Sequence, residues 1–284
     1  MAMTDVRAQY TEQAVGANHP TLADTINRLV KGVNNFRLIL SGGNLTLVPV
    51  NGNLVDINDV IYACTAMPTL GAGGLTPGQL YYIYLFNNIG TETLEASATG
   101  YTVDAKGRAY KTGDATHRLM GMARPIAGPA WADSLTQRFV RSYNHRPSVR
   151  LSGAFSTTRL TASVSYVELN TEIRVELLAW ADDLVQAFLN GDNYNTSNTH
   201  GNFTAIGYDG TTPEDGINAS SINVAANTMI VPNSVLSLKT LAEGYHYVTM
   251  LGCTDGAGTG YWVGNAATPS PRTQLSVALL PNGE

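Results

Sequence analysis

The five histidines, His19, His117, His145, His200 and His246, are scattered, and no two stand in an HxH or HxxxH pair. That spacing gives no metal-ligand motif. No Gly-x-Ser-x-Gly elbow and no Walker A pattern occurs either. A glycan-cleaving site needs two carboxylates facing each other across a few ångströms. The obvious acidic pairs, Asp182-Asp183 and Glu214-Asp215, are sequence neighbours. Neighbours on a strand point to opposite faces, so neither pair qualifies alone, and a turn role for Asp182-Asp183 is the economical reading. The glycine-rich stretch Gly71-Ala72-Gly73-Gly74 runs into a loop with Pro77. A phosphate cradle needs helix amides there. Thr254 to Gly260 offers calcium a single carboxylate, Asp255, and reads as a hairpin tip. The expectation is a chain with no catalytic residues, no metal and no cofactor.

What remains is recognition chemistry. Asn190 to His200 and Asp255 to Trp262 are rich in Tyr, Asn, Ser, Thr and Gly, the composition of adaptable binding loops. Tyr194, Asn195, Tyr261 and Trp262 are the candidate contacts to a host-surface glycan, with the aromatic rings stacking on sugars. The bland alternative is that they shield a subunit seam or cap a barrel end.

Composition narrows the class. Charged residues make up 14% of the 284 residues, against roughly 25% in ordinary soluble proteins. Polarity comes from amides and hydroxyls, and the 28 glycines favour β structure with tight turns. The net charge is −5, and no Lys/Arg run supports a nucleic-acid surface. Arg138 to Arg150 reads as a solvated linker. Cys64 and Cys253 match neither a zinc nor a redox pattern and are expected to be buried free thiols. No apolar run follows basic residues at the N-terminus, and none is long enough to span a bilayer, so neither a signal peptide nor membrane insertion is expected.

Three regions follow from the periodicity. Residues 1–36 read as an extended arm followed by a helix beginning near Pro20. Leu22, Ile26, Leu29 and Val33 recur at heptad-like spacing on that helix. They serve either to pack it on its own domain or to dock and self-associate it. Residues 37–146 read as a β-rich module. Leu45 to Val50 and Leu54 to Ile57 look like strands around an Asn51-Gly52 turn, and Leu80 to Phe86 is an aromatic strand. Residues 147–284 read as a β-sandwich. Leu160 to Tyr166, Glu172 to Ala179, Tyr245 to Leu251 and Gln274 to Leu279 alternate as half-buried strands. Trp180 to Leu189 suits a helix or a strand, and its β context favours the strand. Many short strands between turns indicate a sandwich or jelly roll, and the whole chain reads as mainly β.

Asn18-His19-Pro20-Thr21-Leu22-Ala23-Asp24-Thr25-Ile26-Asn27-Arg28-Leu29 resembles the opening of tail-fibre and related virion proteins of tailed phages. Leu45 to Tyr84 and Gly113 to Ala123 resemble a β module of the same proteins. Glu172 to Leu177, Ile206 to Gly210, Gly244 to Tyr247 and Thr273 to Ser276 resemble C1q/TNF-type jelly-roll heads at fibre tips. The resemblance implies a structural virion protein, a homotrimer anchored through its N-terminus to other virion proteins of the capsid, collar or tail. Typical fibres carry a shaft that is missing here, so a capsid decoration protein stays open as the alternative. A polysaccharide depolymerase is the third reading.

Overall fold

The alternation of apolar and polar residues that marks the sequence is laid out as strands almost everywhere. The computed structural model describes residues 4–5, 33–222, 226, 231–267 and 271–281. Among the described residues the chain is nearly all β, with one turn of 3-10 helix at Thr171–Ile173. Contacts divide it into two units. The first holds residues up to Asp133 together with Phe139–Arg146, and the second holds Ser134–Arg138 and Pro147 onward.

The helix expected from Pro20, with Leu22, Ile26 and Leu29, lies outside the described residues. Val33 is described, and it is not helical. It bridges Leu54 in parallel, and Asn34 follows at a φ of 62°. The β structure of the first unit therefore begins by Phe36. Thr4–Asp5, in the expected arm, pairs with Val60–Ala63.

In the first unit, the main sheet runs in the order Thr91–Ser97, Tyr81–Asn88, Asp114–Ala123, Ala109–Lys111, Tyr101–Val103. Val140–Ser142 also pairs with Asp114–Ala123. Two three-stranded sheets accompany it, one of Phe36–Ser41, Asn44–Pro49 and Thr69–Leu70, the other of Thr4–Asp5, Val60–Ala63 and Leu54–Ile57. The inward residues Phe36, Leu38, Leu45, Leu47, Ile83, Leu85 and Met120 form its core. The Asn51-Gly52 hairpin is corrected. Asn44–Pro49 pairs back onto Phe36–Ser41, and Leu54–Ile57 pairs forward onto Val60–Ala63. The tight turns are Gly42-Gly43 and Asn58-Asp59, each with two successive positive φ angles. That backbone twist matches the twist of paired strands, which is why it closes two-residue hairpins. The supposed linker is corrected too. Arg141 is buried in the Val140–Ser142 strand rather than solvated.

The second unit is a jelly-roll sandwich. One sheet has the order Val149–Ala154, Gln274–Leu280, Leu184–Asn195, and Val231–Thr240 lies along the other edge of Leu184–Asn195. Gly260–Asn265 pairs the distal end of Leu184–Asn195, and Thr157–Thr161 pairs Gly260–Asn265 in turn. The other sheet has the order Gln137–Arg138, Val175–Ala179, Gly244–Thr254, Gly201–Tyr208, Pro213–Ile222. Gly201–Tyr208 and Pro213–Ile222 pair as a hairpin within one sheet, whereas the chain crosses between sheets on either side of Leu184–Asn195 and of Val231–Thr240. Between the sheets lie Leu151, Val175, Leu177, Val185, Ala187, Leu189, Met250, Leu275, Val277 and Leu279. Trp180 to Leu189 resolves into a turn and the start of the Leu184–Asn195 strand. Leu160 and Val164 are exposed, so the apolar positions of that stretch do not face the core.

Cys64 and Cys253 are both free and buried. Burial, reinforced by the charge of Glu92, pushes the Cys64 thiol up to about 12. Such a thiol is not a nucleophile at neutral pH.

Close packing in the sandwich leaves no room for a side chain at Gly153. A Cβ there would sit 2.8 Å from the Ile173 carbonyl carbon and closer still to its oxygen, and backbone cannot move aside as a side chain can. Gly153→Ala is expected to destabilise the second unit by about 2 kcal/mol, the usual scale of overpacking. Urea unfolding of the variant and the parent measures it, and an unchanged midpoint contradicts the tight contact.

Candidate functional site

The sheet of Val149–Ala154, Gln274–Leu280, Leu184–Asn195 and Val231–Thr240 has two faces of opposite character. Its inner face closes the core. Its outer face is built by the alternate residues of each strand, and the register places them in rows. Ser152, Ser276, Phe188 and Leu236 form one row. Arg150, Ala278, Gln186 and Leu238 form the next. Leu280, Leu184 and Thr240 follow on one side, and Ala154, Gln274, Asn190 and Ser234 on the other. Arg150 is the one charged residue in these four rows. Phe188 is 43% exposed, Leu236 52% and Leu238 58%. Large apolar side chains grouped on a charge-poor sheet face mark an interaction surface, unlike the single exposed leucines found on any protein.

The expected glycan-contact residues separate into two kinds. Tyr194 and Tyr261 pair across adjacent strands and stack with ring centroids 4.8 Å apart. Both are half-buried and reachable from solvent. Trp262 is 1% exposed, packs into the sandwich core and donates its Nε1–H to Thr204 Oγ1 at 2.8 Å. Asn195 is fully buried. Neither can meet an external sugar, because the strand alternation turns both inward. Val33, the one described member of the helical stripe, sits in the first unit's β structure.

Asn195 instead belongs to a buried amide network. Its Nδ2 donates to Asn202 Oδ1 at 3.0 Å, and Asn202 Nδ2 donates to Asn193 Oδ1 and to the Tyr194 carbonyl, each at 2.9 Å. Ser221 donates to the same Asn193 oxygen. All four side chains are buried. Sequence reading took these asparagines for an open loop, because amides are commonest there. Only the alternation of Tyr194 with Asn193 and Asn195 hints at a strand.

The acidic pairs carry structural duties. Asp183 is buried and accepts from the Trp180 amide, closing the expected turn. Glu214 is buried and ion-paired with Lys239 at 2.6 Å. Asp255 accepts from the amides of Gly201 and Ala257, with His200 alongside. His246 lies between Asp209 and the Ala242 carbonyl. Among the described residues no group of three His, Cys, Asp or Glu side chains could hold a metal ion, and no helix is long and apolar enough to cross a membrane.

The first unit carries the densest charge cluster. Arg108 reaches Asp104 at 2.6 Å, Asp59 at 2.6 Å and Asp56 at 3.3 Å, and Lys106 reaches Asp59 at 2.6 Å. Hydrogen bonds from the Arg108 side chain and amide, assisted by the Lys106 amide, pull Asp104 down to about 2.

No family model matches the chain, and no curated protein matches it in sequence. Among solved structures, it is similar to the Eiger TNF of S. frugiperda at 12% identity, over 49% of this chain and 96% of that one, with a TM-score of 0.29. It is similar to a structure of infectious bursal disease virus Gx strain at 12% identity, over 89% and 70%, with a TM-score of 0.26. A Bacillus thuringiensis Cry1Da tryptic core variant matches at 11% identity, over 87% and 47%, with a TM-score of 0.23. Likenesses this distant transfer no function.

Two outcomes follow from this geometry. Asn202→Ala strands the buried Asn195 amide and opens a small void, so it is expected to cost about 3 kcal/mol in urea unfolding. A cost below about 1 kcal/mol contradicts the network's role. Asp104 has a folded pKa of about 2, below its unfolded value of about 3.9. Its stabilisation is therefore complete above the unfolded value and is lost as pH falls towards the folded one. The stability gap between the parent and Asp104→Asn should shrink through that window. A gap that stays constant there excludes the Arg108 pairing as its source.

Proposed function

We propose that this protein is a structural component of a tailed-phage particle, a fibre or appendage that works by self-association of its jelly-roll unit and not by catalysis. The observation that carries this reading is the outer face around Phe188, Leu236 and Leu238. Across four rows of that sheet a charged partner would find Arg150 alone. Three copies of the same face can converge on a three-fold axis, where a closed homomer buries apolar surface without burying unpaired ions. The sequence resemblance to phage fibre heads supplies the virion context and the expectation of three copies. Residues 1–36 are then the attachment to other virion proteins. Tyr194 and Tyr261, stacked at one end of the sheet, are the remaining candidates for touching a host-surface glycan.

Light scattering on the purified chain tests the assembly. A mass three times the 30.3 kDa of one chain is expected. The double variant Leu236→Asp, Leu238→Asp should bring it to monomer without loss of fold, since both side chains lie outside the core. A monomeric parent, or a variant that keeps the parent's mass, sinks the interface.

A further inference from the structure

A cavity of about 140 Å³ opens in the first unit, lined by Asp56, Asn58, Asp104, Arg108, Tyr110 and Arg118, with Ala115 beside them. Arg118 is the unusual member. It projects from the Asp114–Ala123 strand, is 5% exposed, and its Nε makes no hydrogen bond. A buried guanidinium nitrogen without a hydrogen-bond partner is costly, and the group's five donors require acceptors. Arg108, just before the adjacent Ala109–Lys111 strand, is by contrast fully engaged by three carboxylates. Among the described residues, neither the Asn58 amide nor the Tyr110 hydroxyl has a hydrogen-bond partner. Asp56 is held by Arg108 only at 3.3–3.4 Å, so its oxygens retain accepting capacity.

Charge decides the class of ligand. Asp56, Asp59 and Asp104 balance Lys106, Arg108 and Arg118, so the cluster is already neutral. An anion drawn to Arg118 would meet the nearby carboxylates, and a cation would meet Arg118. Open capacity is for hydrogen bonds alone, donors from Arg118 and Asn58, acceptors at Asp56, and both at Tyr110. The volume equals that of four or five waters at roughly 30 Å³ each, about the hydroxyl-bearing body of one sugar ring.

We propose that this cavity binds a neutral, hydroxyl-rich ligand, a single hexose unit, whose hydroxyls accept from Arg118 and donate to Asp56. The site is independent of the outer sheet face in the second unit, and failure of either leaves the other standing.

Backbone-amide NMR of the full chain, titrated with methyl α-D-glucopyranoside, methyl β-D-galactopyranoside and maltotriose, tests it. Saturable shifts confined to Asp56, Asn58, Tyr110 and Arg118 are expected with at least one of these. Tighter binding of maltotriose would mark a sugar presented by a glycan, and equal binding a free sugar. Arg118→Met should weaken binding about tenfold. Because that buried change can harm folding, Asn58→Gly is the second variant. It removes the amide and tolerates the φ of 48° at that position, and it should weaken binding several-fold with a native spectrum. Absence of saturable shifts at these residues overturns the proposal. So does equal affinity in the parent and Asn58→Gly, or saturation of the same residues by inorganic phosphate or acetate in place of the sugars.

Discussion

The Leu184–Asn195 strand is hydrogen-bonded along both edges, to Val231–Thr240 on one side and to Gln274–Leu280 and Gly260–Asn265 on the other. A slip of one residue would send Val185, Ala187 and Leu189 outward and drive Gln186, Phe188 and Asn190 into the core. The same slip would break the amide network at its end, since Asn193 and Asn195 would then face solvent. Apolar alternation sets the register over the first half of the strand, and the buried amides set it over the second. The core, the outer face and the Tyr194–Tyr261 stack all depend on that one register.

The two units solve the problem of burying polar atoms differently. The second, beside its buried Asp183 and the Glu214–Lys239 pair, builds a network of neutral amides and hydroxyls, which need only geometry to be satisfied. A buried amide costs little once paired, whereas an ion must recover several kcal/mol of lost hydration. The first centres its densest charge on the cluster around Arg108, where each carboxylate shares a guanidinium or ammonium. The low overall charge of the chain is thus distributed unevenly, spent at the cluster and nearly absent from the sheet face.

Legibility from sequence tracked how far local pattern agreed with tertiary environment. Tyr245 to Leu251 and Gln274 to Leu279 alternate cleanly, and both are strands. The Val231–Thr240 strand carries a misleading pattern. Its inward positions include Ser237 and Lys239 while Leu236 and Leu238 point outward, so the usual polarity of a half-buried strand is reversed. Trp262 and Asn195 were assigned to the surface from composition, and strand parity buries both. The Asn51-Gly52 dipeptide is the strongest hairpin signal in the first unit, yet pairing to Phe36–Ser41 outweighs it. The Arg118 cavity had no signal at all. Asp56, Arg108 and Arg118 come from three separate stretches, and only the fold brings them together.

The Ser134–Arg138 segment has a consequence for inheritance. It gives the second unit a parallel edge strand, Gln137–Arg138 against Val175–Ala179, before the chain returns to the first unit as Val140–Ser142. The polypeptide therefore changes unit three times. A genetic crossover after Arg146 would deliver a second unit stripped of one edge strand. One after Asp133 would carry off a strand belonging to the first unit. Neither breakpoint yields a clean cassette, so the two units are exchanged between genomes most safely as an inseparable pair.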